Sequence, residues 1–163
     1  WIYEAGIRTD LYTQIIKDYI NSEYAGTKDM VMKTMAGINL QELPQQHTNL
    51  LVDMVSDRSK LVCAPMPNLY FTRDPGACVG EGINIHRMHT PARKRESLLL
   101  KYMFLYNRDF ATQDNKMWYD LSDSYSIEGG DVLNINEKTL AVGISQRTQA
   151  AAIDVMALSL IHI

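Results

Sequence analysis

Cysteine and histidine are scarce in this 163-residue chain, and what there is of them forms no recognisable metal or redox spacing. Cys63 and Cys78 stand in different apolar settings with no CxxC pattern, so neither a disulfide framework nor a zinc or redox motif is expected, and a reducing, cytoplasmic setting fits. His47, His86, His89 and His162 make no HxxxH or HExxH pattern, which argues against a structural zinc site. A basic surplus is missing too. The net charge is −3, which gives no field to gather nucleic acid or an anionic membrane surface. No apolar run approaches the roughly 18 residues of a membrane span, and residues 1–6 do not read as a signal peptide. The first residue is Trp1 rather than methionine, and the apolar end Ser159–Ile163 carries no helix stop signal, so the chain is expected to be a fragment of a longer protein.

What is present is ordinary for a globular protein: 46% hydrophobic and 21% charged residues, enough for one compact domain or a core with a small appendage. Residues 1–56 read as short amphipathic helices without strands, a separate helical subdomain. Thr9 or Asp10 caps a helix bearing Leu11, Ile15, Ile16 and Tyr19, with Asn21 and Ser22 as its stop. Thr27 caps a second, bearing Met30, Val31, Met35 and Ile38 and interrupted at Gly37. A third helical turn is expected over Asn49–Val55, after Pro44. The methionines here are core filler.

The pattern changes over residues 57–163. Leu61–Cys63 reads as a buried strand, and Ala77–Val79 and Ile83–His86 as a hairpin around Gly80-Glu81-Gly82. A helix is expected from a Thr90 cap with Pro91 at its first position, showing Leu98, Leu99, Tyr102, Met103 and Tyr106 on one face; Met117–Tyr119 restores the strand. Then the order recurs: strands over Asp131–Ile135 and Thr139–Ile144, and a helix from about Gln146. Arg93 follows Asp74 by 19 residues and Arg147 follows Glu128 by 19, and the two pairs are offset by 54. That is an internal repeat of ββαβ-like units, with a period that suits a propeller or array.

Each acid stands at the entry to a hairpin and each arginine at the start of the following helix, so all four are expected at one end of the sheets. Carboxylates and guanidiniums around one pocket suit a ligand that is itself charged in both senses, such as an amino acid with a basic side chain. The plainer reading makes Arg73, Asp74, Glu128 and Asp131 structural ion pairs and turn caps, and Gly129-Gly130 only a turn. Cys63 and Cys78 read as small core residues rather than nucleophiles.

Four ordered segments carry a family resemblance: Pro67–Asp74, Pro91–Glu96, Ile127–Asp131 and Gly143–Thr148. Together they resemble the successive signatures of bacterial arginine deiminase, over nearly the whole chain. The resemblance implies an α/β fold, part of a five-bladed ββαβ propeller of the pentein type with an inserted helical domain. Residues 1–56 would belong to the insertion and 57–163 to about two repeats. It implies hydrolysis of L-arginine to L-citrulline and ammonia through a covalent amidino-cysteine intermediate, with no metal or organic cofactor. Asp74 resembles the carboxylate that holds the substrate guanidinium, and Glu128 the acid that works with the catalytic histidine. Asn68, Arg93 and Arg147 resemble the groups that hold the substrate carboxylate, and Phe71 a pocket wall. The family's His-x-Asp segment and cysteine nucleophile lie beyond residue 163, His162 does not replace them, and Gln146 stands where many members carry glutamate. The expected partner is therefore L-arginine, with no nucleic acid and no membrane, and a homo-oligomeric assembly stays open. The fragment alone is expected to be inactive. Three alternatives remain: a sister guanidine-modifying enzyme such as a dimethylarginine hydrolase or an amidinotransferase, a non-catalytic arginine-binding module, and a structural α+β domain.

Overall fold

A computed structural model of the chain describes residues 18–19, 21–22, 26–43, 61–111 and 116–161. Two compact units divide the chain, Trp1–Pro67 and Asn68–Ile163. In the first, residues 18, 19, 21 and 22 are helical, and Ser22 Oγ donates to the Tyr19 carbonyl at 3.2 Å. Most of the expected first helix, and the whole turn over 49–55, lie outside the described residues. Helix α1 spans Thr27–Ala36, with Gly26 rather than Thr27 in the cap position. It stops at Gly37, as expected, with φ 90° and its N–H on the Lys33 carbonyl. A Cβ there would stand 2.9 Å from the Cys63 carbonyl oxygen, so both the turn and the close approach call for glycine. Strand β1, Ile38–Asn39, pairs antiparallel with β2, Leu61–Cys63. A strand therefore occurs within residues read from sequence as helices alone; Ile38, counted as a helical core position, is fully buried in it.

The second unit is mixed α/β. Strands β3, Gly76–Val79, and β4, Gly82–Ile85, form the expected hairpin, with Gly80 at φ 55° in the two-residue turn. Helix α2, Glu96–Tyr106, then crosses over to β5, Lys116–Tyr119, which lies parallel to β4. The sheet order is β3-β4-β5, a complete ββαβ unit. Strands β6, Val132–Asn136, and β7, Thr139–Val142, make a second hairpin, followed by α3, Ala150–Ile161.

Both helices begin later than the sequence suggests, because an irregular turn precedes each. Pro91–Arg93 is a separate 3-10 turn closed by Arg93 N–H to the Thr90 carbonyl, and α2 starts only at Glu96. Ser145 Oγ accepts the Arg147 and Thr148 N–H groups, which ties residues 145–148 into a side-chain-closed turn and delays α3 to Ala150. Of the face expected on α2, Leu98 is fully buried while Met103 and Tyr106 are exposed.

The core of this unit gathers Val79, Trp118, Tyr119, Ile127, Val132, Ala152 and Met156 from both repeats. Full burial of a large apolar side chain is worth roughly 1.5–3 kcal/mol, so this cluster is what holds the two hairpins and α3 together. Trp118 completes it without leaving its indole N–H unmet, since Nε1 donates to the Val79 carbonyl at 2.8 Å. No helix among the described residues is long and apolar enough to cross a membrane.

Candidate functional site

The first acid, Asp74, sits in the turn just before β3. Its Oδ2 lies 2.9 Å from Arg93 Nη1, so the 19-residue spacing closes into an ion pair. Arg93 reaches it from the 3-10 turn, and its side chain is 8% exposed against 24% for Asp74. On the other flank, Arg93 Nε donates to Glu96 Oε2 at 2.9 Å. Nη2 is also 2.9 Å from that oxygen, close enough for the ion pair but without the alignment of a hydrogen bond. Burial works against the Arg93 charge, but the hydrogen bonds to Glu96 and Asp74 outweigh it and leave the guanidinium's pKa raised. Glu96 Oε1 accepts the backbone N–H of Asn68 at 3.2 Å. Asn68, Asp74, Arg93 and Glu96 thus form one connected cluster.

The second acid repeats the scheme. Glu128 Oε2 lies 3.2 Å from Arg147 Nη1, and Oε1 accepts the His89 N–H at 3.1 Å. Here exposure is reversed: the Glu128 side chain is 4% exposed and Arg147 60%. Asp131 Oδ2 accepts from Ser145 Oγ at 2.7 Å and Thr148 Oγ1 at 2.6 Å, so the plain reading of a turn cap holds for it. Thr148 Oγ1 in turn accepts the Glu128 N–H at 3.1 Å. The whole 145–148 turn is therefore fastened beside Glu128.

Residues 86–89 lace the two halves together. His86 Nδ1 lies 2.9 Å from the Asp74 carbonyl oxygen, Ile127 N–H donates to the Arg87 carbonyl, and Gly129 N–H donates to the Asp74 carbonyl at 3.1 Å. Arg73 Nε adds a bond to the Gly129 carbonyl at 3.3 Å. Asp74 and Glu128 are thereby brought into neighbouring turns. Phe71 is carried on the Asp74 loop, 54% exposed and edge-on to Tyr70 at 5.7 Å between ring centroids. Among the described residues, no three His, Cys, Asp or Glu side chains gather as a metal would need. Cys78 is exposed on β3.

Glu96 and His86 carry no role in the sequence analysis, where Gly129 is read only as part of a turn. Glu96 is legible in hindsight, three residues after Arg93 and so on the same side of a helical turn. His86 is not, because nothing local distinguishes a buried imidazole. A carbonyl only accepts, so His86 Nδ1 carries the proton, and Nε2 is buried without a hydrogen-bond partner among the described residues. Burial pushes this imidazole down to about 4, against weaker upward pulls from the Asp74 hydrogen bond and charge. A folded value below the unfolded 6.5 means stability fully present above about pH 6.5 and lost as pH falls through about 4. In the full-length protein, denaturant titrations are expected to show a loss on the order of 3 kcal/mol from this group over that interval. His86→Gln should remove that component, and an unchanged pH slope in the variant would refute the assignment.

The family model described as arginine deiminase matches residues 3–162. The chain is 43% identical over 157 residues to a curated arginine deiminase of Treponema denticola, covering 96% of the chain and 38% of the relative. It is 41% identical over 162 residues to one of Clostridium perfringens, covering 99% and 39%, and 40% identical over 147 residues to one of Bacillus cereus, covering 90% and 35%. The chain thus spans less than two fifths of the length of these curated relatives.

Proposed function

The chain belongs to the arginine deiminase family, and from that premise we propose that it is the substrate-clamping portion of an enzyme hydrolysing L-arginine to L-citrulline and ammonia. The observation that carries this is the pair of acid–arginine contacts, Asp74 with Arg93 and Glu128 with Arg147, joined through Gly129 N–H to the Asp74 carbonyl. Each pair is neutral as it stands. An arginine substrate brings a guanidinium for the acids and a carboxylate for the arginines, so each side chain drawn out of its ion pair meets a group of opposite charge. Asp74 holds the guanidinium, and Glu128 works with the histidine that shuttles protons. Arg93, Arg147 and Asn68 hold the carboxylate, and Phe71 lines the pocket.

The chemistry explains why a clamp is needed. A guanidinium is resonance-stabilised and a poor electrophile; carboxylates fix it in plane while a thiolate attacks its carbon, ammonia departs, and water releases citrulline and regenerates the thiol. The thiolate and the His-x-Asp segment come from the parent protein beyond residue 163. In this reading the ββαβ unit and the following hairpin and helix are two blades of a five-bladed propeller of the pentein type. Residues 1–56 belong to an inserted helical domain and 57–163 to the blades, and the enzyme is cytoplasmic.

Citrulline formation by the full-length parent, with methylated arginine and agmatine run in parallel, tests the assignment. Release of citrulline from L-arginine in preference to the other two is expected. Turnover of methylated arginine instead would give the site to a dimethylarginine hydrolase. The isolated 163 residues should release none, and citrulline from them alone would overturn the division of labour.

A further inference from the structure

The two repeats treat their arginines differently, and the difference lies in one residue. Glu96 is 1% exposed, and its carboxylate binds Arg93 through Oε2 and the Asn68 N–H through Oε1. Arg93 is consequently gripped from two sides, by Asp74 and by Glu96. At the matching place in the second repeat, 54 residues on, stands Ala150. Among the described residues Arg147 is ion-paired with Glu128 alone, and its side chain is largely in solvent.

We propose that Glu96 is a positioning residue that fixes Arg93 and the Asn68 backbone as a preformed half of the substrate-carboxylate cradle, leaving Arg147 as the half that closes on the ligand. This rests on the reading of Arg93 and Asn68 as carboxylate-holding groups. When a substrate guanidinium takes over Asp74, Arg93 loses that partner. Glu96 is then the anion that keeps the Arg93 side chain extended and its charge compensated, so binding requires no repositioning of a long, rotamer-rich side chain. One carboxylate spanning the guanidinium and the Asn68 N–H also sets the distance between two of the groups assigned to the carboxylate. A preformed cradle acts on binding rather than on bond breaking, which predicts where the effect of its loss will appear.

The experiment is a kinetic comparison in the full-length parent. Glu96→Gln preserves shape and can still accept the Asn68 N–H, but it removes the charge facing Arg93. KM for L-arginine is expected to rise about 10-fold or more, as loss of a hydrogen bond to a charged group implies, while kcat stays within about threefold. In an Arg93→Ala background, Glu96→Gln should raise KM no further, because Glu96 acts through Arg93. A merely structural glutamate would raise KM in both backgrounds alike, and that result, or a wild-type KM in Glu96→Gln, overturns the proposal. If Glu96→Gln does not fold, Glu96→Asp keeps the charge but shortens the reach, and it too must raise KM. Arg93→Ala alone separates the two levels: a wild-type KM there would remove the carboxylate-binding reading itself, whereas a raised KM there with an unaffected Glu96→Gln overturns only the role of Glu96.

Discussion

Replacing Asp74 by asparagine or Glu128 by glutamine in the full-length parent is expected to lower arginine turnover by at least about 10³-fold, within the range for loss of a charged group that acts on the reacting centre. The amides keep the size and an acceptor oxygen of each side chain, so the change tests charge rather than packing. Local structure should survive both. Without the Asp74 charge, Arg93 still has Glu96; with glutamine at 128, an amide oxygen can still accept the His89 N–H now bound by Glu128 Oε1. Denaturation midpoints near wild type, together with lost citrulline production, form the expected result. If the acids are only structural ion-pair members, turnover stays within about threefold of wild type in both variants.

The second large effect concerns Gly129 and sets it against its neighbour Gly130. A Cβ on Gly129 would lie 1.9 Å from the Arg73 carbonyl oxygen and 2.9 Å from its carbon, which are backbone atoms that cannot swing aside. The glycine is needed for close approach of the two acid-bearing turns. Gly129→Ala is therefore expected to push Glu128 away from Asp74, lowering unfolding stability by about 3 kcal/mol or more and turnover with it. Gly130 has open space where a Cβ would be, so Gly130→Ala should stay within about 0.5 kcal/mol of wild type. Urea titrations of the two full-length variants decide the matter; equal stabilities would show that the turns can separate freely.

Strand and hairpin positions were legible because their signals are local. Gly80-Glu81-Gly82 between apolar runs marks a hairpin, though Gly82 proves to belong to the strand, and Leu61–Cys63 and Met117–Tyr119 are strands where β-favouring residues cluster. Helix starts were less legible. Thr90-Pro91 and Gln146 look like helix openings, yet the first forms a 3-10 turn and the second lies in a turn closed by Ser145 Oγ. Both exceptions sit at the arginines. A regular helix there would have rotated Arg93 and Arg147 by its own period, whereas the irregular turns aim each at an acid 19 residues earlier. The strand β1 was missed because two residues are too few to show alternation, and its partner β2 is more than twenty residues away.

What the sequence determined by itself was the repeat and its chemistry: two acids, two arginines, one interval, and four ordered segments of one family. Such spacing is a property of the chain and survives without coordinates. Only the tertiary structure decided who pairs with whom, since ion pairing depends on distances that one dimension does not contain. It set each acid on its own arginine, placed Glu96 behind Arg93 but, among the described residues, no second acid behind Arg147, and pressed Gly129 against Arg73 where its N–H meets the Asp74 carbonyl.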